Sequence, residues 1–228
     1  MTNEALPTLA ILGGTGDLGT GLARRWAQAG YRVIIGSRTL DKAEAAVADL
    51  RSVMAQRGVA DISVEAMDNQ GAAAVADIVT LTVPFSHQVS TLEAVAPALQ
   101  GKILIDVTVP LVPPRVARVQ LPEGGSAGQI AQELLGDEVA VVSAFQNVAA
   151  AHLQEGGGVD CDVLVCGNKK EARAEVIKLV EAAGLRGFHA GMINNAAAAE
   201  ALTSVLITIN KQYNCHAGIR ITGLDSHG

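Results

Sequence analysis

The chain has 228 residues, 49% of them apolar but only 3% aromatic, with a formal net charge of −6. That apolar content excludes a disordered chain, and the length suits one large domain or a medium domain with a smaller second one. No basic run exceeds the pairs Arg24-Arg25 and Lys169-Lys170, so general nucleic-acid binding is excluded and any local cluster of cations becomes informative.

The opening Met-Thr-Asn-Glu has neither the basic start nor the apolar core of a signal peptide, and no apolar run approaches membrane-spanning length. Cys161, Cys166 and Cys215 are expected to be ordinary buried thiols in a reducing cytoplasm. The first two lie five apart on a predicted strand, which points them to opposite faces.

Pro7 precedes a first apolar strand, Leu9–Leu12, which runs into a glycine cluster. A helix follows from about Leu18 to Ala29, with Leu22, Trp26 and Ala29 on one face, and Gly30 stops it. A second strand, Val33–Ile35, ends at Gly36-Ser37-Arg38, and Thr39 has the character of an N-cap for a helix over Leu40–Gln56. The pattern continues with a short strand near Ile62–Val64, a short helix over Gly71–Ala76 and a buried strand over Ile78–Val83. A helix over Phe85–Leu99 and a strand over Ile103–Val107 follow. Residues 108–125 carry Pro110, Pro113, Pro114 and Pro122 and read as a long ordered loop on the ligand side of the sheet. A helix over Ala127–Leu135 and a strand over Val139–Ser143 complete the sheet. Beyond it the sequence predicts a strand over Val163–Cys166 and helices over Glu171–Ala183 and Asn195–Asn210. The alternation predicts an α/β protein: a Rossmann-type doubly wound parallel sheet over residues 1–143, with a second, smaller C-terminal α/β domain over 144–228.

Gly14, Gly16 and Gly19 fit G-x-G-x-x-G between a strand and a helix, the context that the dinucleotide-binding motif requires. The exposed N–H groups and positive dipole end of the helix then face an anion. At the end of the second strand an NAD-binding fold carries an Asp or Glu for the ribose 2′-hydroxyl. This chain has Ser37 and Arg38 there, with Lys42 in the next helical turn. A carboxylate would repel a 2′-phosphate and an Arg can chelate it, so NADP is the expected nucleotide. Val83 and Pro84 follow the fourth strand, on the nicotinamide side; His87 is either a ribose or phosphate ligand or an exposed helix histidine. Asp106 ends the fifth strand, where it either caps the next loop or faces ligand. Gln146 and Asn147 are amides at an apparent interdomain cleft, although Asn147 also suits a helix cap. His152, His189, His216 and His227 have no metal spacing, and no nucleophile is paired with a base. Neither a metal site nor a covalent catalytic residue is expected; hydride transfer needs aligned ring faces more than it needs an acid or base.

With these residues in place the chain resembles the NADPH-dependent reductases of the deazaflavin coenzyme F420 over nearly its whole length. The resemblance rests on Ile-Leu-Gly-Gly-Thr-Gly-Asp-Leu-Gly at 11–19, Gly-Ser-Arg at 36–38 with Lys42, Thr-Val-Pro at 82–84 with His87, Val-Ser-Ala at 142–144, Val-Cys-Gly at 165–167 and the tail at 217–224. It implies reversible hydride transfer between C4 of NADPH and C5 of F420, stacked in a cleft under the small domain. It also implies that Thr15, Gly16, Asp17, Leu18, Ser37, Arg38 and Lys42 hold the pyrophosphate and 2′-phosphate. Val83, His87, Val109, Ala150 and Ala217 would line the nicotinamide half or its surroundings. The chain departs from family members that carry His in place of Gln146 and Pro in place of Ala149. Two other readings are an NADP-dependent dehydrogenase or reductase of a small carbonyl or imine, with Lys102 or Asp106 as proton donor, and a non-enzymatic NADPH sensor. The apolar C-terminal helix suggests a homodimer.

Overall fold

The computed structural model describes residues 5–59 and 61–223. Eight strands form one sheet in the order β3-β2-β1-β4-β5-β6-β7-β8. They are β1 (Leu9–Leu12), β2 (Val33–Ser37), β3 (Val64–Asp68), β4 (Ile78–Leu81), β5 (Ile103–Asp106), β6 (Ala140–Ser143), β7 (Asp162–Gly167) and β8 (Arg186–His189). The helices are α1 (Asp17–Gln28), α2 (Leu40–Gln56), α3 (Asn69–Val75), α4 (Gln88–Leu99), α5 (Ala127–Leu135), α6 (Ala150–Gln154), α7 (Lys170–Ala182) and α8 (Ala196–Tyr213).

Strands β1 to β6 pair in parallel, and β7 runs antiparallel to β6. The strand order reverses between β1 and β4, which opens a crevice beyond their carboxyl ends. The central strands β1 and β2 open as unbroken apolar runs because both their faces are covered. Leu9 and Ile11 of β1, with Val33 and Ile35 of β2, pack with α1, α2 and α7 through Leu22, Trp26, Leu50 and Val176. Ala10, Leu12 and Ile34 point the other way, into a core with Ala72, Leu92, Leu99 and Ala131 of α3, α4 and α5. Cys161 and Cys166 fall in these two opposite cores, as their spacing implies. Cys215 is exposed, contrary to expectation, because it follows the end of α8. Ala29 is likewise exposed, beside the glycine that ends α1, and not on the buried face.

The strand direction reverses beyond 143, where the sequence analysis divided the chain, yet β7 and α7 share the core of β1 and β2. Trp26 of α1 donates its indole N–H to the Leu179 carbonyl at 2.8 Å and meets Phe145 edge-to-face at 6.1 Å. Phe145 is buried at φ 72°, a left-handed conformation for a bulky residue, and turns the chain sharply out of β6. Residues 108–125 contain no helix or strand. They are tied to α8 by the Ser204 hydroxyl, which donates to the Val116 carbonyl at 2.9 Å. No helix among the described residues is long and apolar enough to cross a membrane.

Candidate functional site

A cleft of about 610 Å³ opens at the carboxyl ends of β1, β2 and β4, where the strand order reverses. It gathers Thr15, Gly16, Ser37, Arg38, Lys42, Val83 and His87, seven of the residues expected at the site. Asp17 and Leu18 open α1 behind its floor and do not line it, nor do Val109, Ala150 and Ala217.

The floor of the cleft is the turn from β1 into α1, and backbone contacts fix its shape. The Gly14 N–H donates to the Gly36 carbonyl at 3.1 Å, and the Thr82 N–H donates to the Leu12 carbonyl at 3.0 Å. The Gly13 N–H donates to Asn69 Oδ1 at 3.3 Å. A Cβ at Gly14 would stand 2.7 Å from the Ile11 carbonyl oxygen, and one at Gly19 would stand 2.7 Å from the Gly14 Cα. These two glycines let the turn fold and let α1 lie against it. Gly16 differs: a Cβ there would meet nothing within 4 Å, and its φ of −85° suits any residue. Gly16 is the N-cap of α1, and no side chain caps that end. By contrast, α5 is fully capped: Ser126 Oγ accepts from the Gln129 N–H, and Glu200 accepts from the N–H groups of Ala127 and Gly128. The cap residue Gly16 lines the cleft, so the uncapped end of α1 opens beside it, the arrangement that fits a pyrophosphate.

The rim beyond β2 carries the cations. Ser37 is buried, with its Oγ 3.4 Å from the Thr39 N–H that donates to it, while Arg38 and Lys42 are exposed. Neither cation pairs with a carboxylate among the described residues. The site fits a 2′-phosphorylated adenosine: two unpaired cations, a hydroxyl and no acid at the strand end.

The other wall is residues 82–91. His87 closes a single 3-10 turn (Phe85–His87) and is exposed, and its backbone carbonyl accepts from the Thr91 hydroxyl at 2.7 Å. Asn69, Thr82, Ser90 and Thr91 line the cleft and were not singled out as ligand residues from the sequence. Asn69 has a signal in Asp68-Asn69 after a strand, but the expected end of that strand, at Val64, falls four residues short of the observed one and hides it. Ser90 and Thr91 carry no motif.

Three expected polar groups are used internally. The Gln146 amide donates to the Asp106 carbonyl and to Ser143 Oγ, both at 2.8 Å. The Asn147 amide donates to the Ala199 carbonyl at 2.8 Å. The Gln146 amide anchors the turn after β6 and the Asn147 amide ties it to α8, because the left-handed Phe145 directs the chain inward. Asp106 caps the loop after β5: its Oδ1 accepts from the Thr108 N–H at 2.8 Å and its Oδ2 from the Gln88 amide. Complete burial pushes its carboxyl up, against these hydrogen bonds. Near Ala150 and Ala217, His152 Nε2 lies 2.9 Å from the His216 carbonyl and the two rings meet edge-to-face.

Residues 8–110 match the family model described as NADP oxidoreductase, coenzyme F420-dependent. An F420-dependent NADP reductase of Methanocaldococcus jannaschii is 40% identical over 95% of this chain and 99% of its own length. The chain belongs to this reductase family. A second member, from Methanothermobacter thermautotrophicus, is 41% identical over 95% of both chains. The crystal structure of a candidate F420-dependent NADP reductase from Arthrobacter sp. FB24 superposes with a TM-score of 0.74, at 28% identity over 92% of this chain and 96% of that one. The mostly parallel sheet with helices on both faces is thus the fold expected from the sequence, and the expected family is the one found.

Proposed function

We propose that the protein transfers a hydride reversibly between NADP(H) and the deazaflavin coenzyme F420. Ser37, Arg38 and Lys42 hold the 2′-phosphate, and the turn at Thr15 and Gly16, with Asp17 and Leu18 behind it, holds the pyrophosphate. The observation that carries this reading is the meeting, in one cleft, of an uncapped glycine turn with two unpaired cations and no strand-end acid. The relatives named F420-dependent NADP reductases support the second substrate.

When bound, NADPH supplies the hydride, and one proton from solvent completes the reduction of F420. The chain's own work is binding, orientation and exclusion of water. Arg38 and Lys42 anchor the adenosine end by charge-assisted hydrogen bonds, and the first turn of α1 neutralises the pyrophosphate. Val83 and Val109 follow β4 and β5 and supply apolar walls, with Ala150 and Ala217 on the side of the C-terminal unit (144–228), which closes over F420. No side chain becomes covalent. Ring faces held about 3–3.5 Å apart are what the transfer requires.

A carbonyl or imine reductase needs a proton donor at the cleft. Lys102 spends its ammonium on the carbonyls of Ala73 and Ala74, and Asp106 is sealed in the core. Neither this reading nor a sensor role is favoured beside relatives named as reductases. The reading extends to a cytoplasmic protein, its three thiols all free, and to self-association through α8, where Val205 and Tyr213 are exposed. Anaerobic mixing of protein, NADPH and F420 tests the main reading. Protein-dependent loss of oxidised-F420 absorbance is expected; NADPH binding without turnover would overturn it. A monomer by mass at micromolar concentration would end the self-association.

A further inference from the structure

The pair Arg24-Arg25 has no role in the cleft, yet both residues are buried. Among the described residues the Arg25 guanidinium pairs with no carboxylate. Its Nε donates to the Leu153 carbonyl at 3.1 Å, and its Nη2 donates to the carbonyls of His152 and Glu155, both at 2.7 Å. Its Nη1 donates to the Gly157 carbonyl. Arg24 and Arg57 both donate to the Gln154 carbonyl, at 2.5 and 2.9 Å. Three arginines therefore converge on the carboxyl end of α6, the negative end of its dipole. They do so although burial disfavours the charge of Arg24 and Arg25 and Arg57 further repels both.

A helix of five residues does not hold itself together in water, so its partners set its position. Apart from Arg57 and the His216 carbonyl, those partners lie on α1. The Gln154 amide donates to the Asp17 carbonyl at 2.6 Å and to Thr20 Oγ1 at 2.9 Å, in the first turn of α1, whose cap residue Gly16 lines the cleft. Gly21 admits Leu153 so closely that a Cβ there would stand 2.7 Å from the Leu153 Cβ. From α6 the path continues outward through His152 to the His216 carbonyl, next to Ala217.

We propose that Arg25 is a positioning residue for hydride transfer: by clasping the carbonyls of residues 152–157 it fixes α6, and with it Ala150 and the 216–217 segment, against the nucleotide-binding turn of α1. The inference rests on the hydride-transfer reading above. The clasp lies outside the cleft that takes the nucleotide, so its loss separates ring alignment from nucleotide binding. Misplacement of about 1 Å costs such reactions about a hundredfold.

The test compares wild type with Arg25→Gln, Arg25→Lys and Gln154→Ala. Readouts are thermal melting, NADPH binding by fluorescence, single-turnover F420 reduction with NADPH and 4-deuterated NADPH, and hydrogen exchange of the α6 amides. In Arg25→Gln, α6 amides should exchange at least tenfold faster while those of β1 stay protected, with NADPH affinity within about threefold of wild type. Hydride transfer should fall about 10- to 100-fold, with a larger isotope effect as alignment becomes limiting. Arg25→Lys should recover part of the rate. If Arg25→Gln does not fold, Gln154→Ala carries the comparison and should show the same pattern more weakly. Unchanged α6 exchange and isotope effect, or equal losses in NADPH affinity and rate, would overturn the assignment. If wild type itself does not reduce F420, the hydride-transfer reading fails instead, and hydrogen exchange still reports whether the clasp holds α6.

Discussion

Replacing Gly16 and Gly19 separately by alanine distinguishes a glycine required by the ligand from one required by the fold. At Gly19 a Cβ would stand 2.7 Å from the Gly14 Cα and 2.9 Å from its carbonyl carbon and oxygen. These are backbone atoms, so α1 must lift from the turn. Overpacking of this kind costs about 1–3 kcal/mol, which lowers the melting temperature by about 3–10 °C in a protein of this size. At Gly16 the new methyl meets nothing within 4 Å and the backbone is already extended. Alanine is a poorer N-cap than glycine by about 0.5–1 kcal/mol, and the restricted unfolded chain returns about 0.4–1 kcal/mol. The melting temperature of Gly16→Ala should therefore stay within about 2 °C of wild type. The same methyl intrudes where the pyrophosphate approaches the backbone. A clash of about 1–3 kcal/mol there weakens NADPH binding about 5- to 150-fold. Thermal melts and fluorescence titration of the two variants decide the matter. Wild-type NADPH affinity in Gly16→Ala, or destabilisation equal to that of Gly19→Ala, would refute the reasoning.

Arg38→Ala should cost about 1.5–3 kcal/mol of NADPH binding, the scale of a hydrogen bond to a charged group, and leave NADH almost unchanged; paired titrations check this. Burial raises the Glu200 carboxyl to about 8, against the Ala127 and Gly128 N–H groups. The folded state then holds a proton that the unfolded state has lost, so this contribution to stability is fully present below about pH 4.5 and declines toward pH 8. Denaturant melts from pH 5 to 9 should show the decline, and Glu200→Gln should flatten it. Asp162 titrates in the opposite sense. Burial alone would raise its carboxyl, but the Arg186 guanidinium, bidentate at 2.8 Å, and the Ile221 N–H outweigh burial and hold it low. Its stabilisation is present above the ordinary carboxylate range and lost as pH falls through the depressed value. Asp162→Asn should make the protein less stable at pH 7 by about 1–3 kcal/mol, and acid unfolding should shift it less than wild type.

The parts of the fold that were legible are those whose signal is local. Leu9–Leu12 and Leu40–Gln56 fall where an apolar run and an N-cap threonine place them, and the helix over Ala127–Leu135 has the expected bounds. The sequence places β3 too early, from Ile62; the strand is Val64–Asp68, whose partly exposed Glu65, Ala66 and Met67 mark a half-covered edge. β8 was missed because Arg-Gly-Phe-His has no apolar run and exists through its pairing with β7. α6 was missed because its stability comes from arginines more than ninety residues away. The cleft was legible where chemistry is written in type and spacing, at the glycines, Arg38, Lys42 and His87. It was misjudged at Gln146 and Asn147, because an amide's partner depends on where the chain turns, and that is set by the conformation of Phe145.

The two ends of the nucleotide cleft are built of different material. The glycine turn is main chain wedged against main chain, whereas Arg38 and Lys42 are solvent-facing side chains with no duty in the core. On the proposed reading, which electron carrier is accepted is therefore decided by residues that mutation can exchange without disturbing the scaffold. The capacity to accept a dinucleotide at all is locked into the backbone. A lineage built on this frame can drift between phosphorylated and unphosphorylated carriers far more readily than it can abandon them.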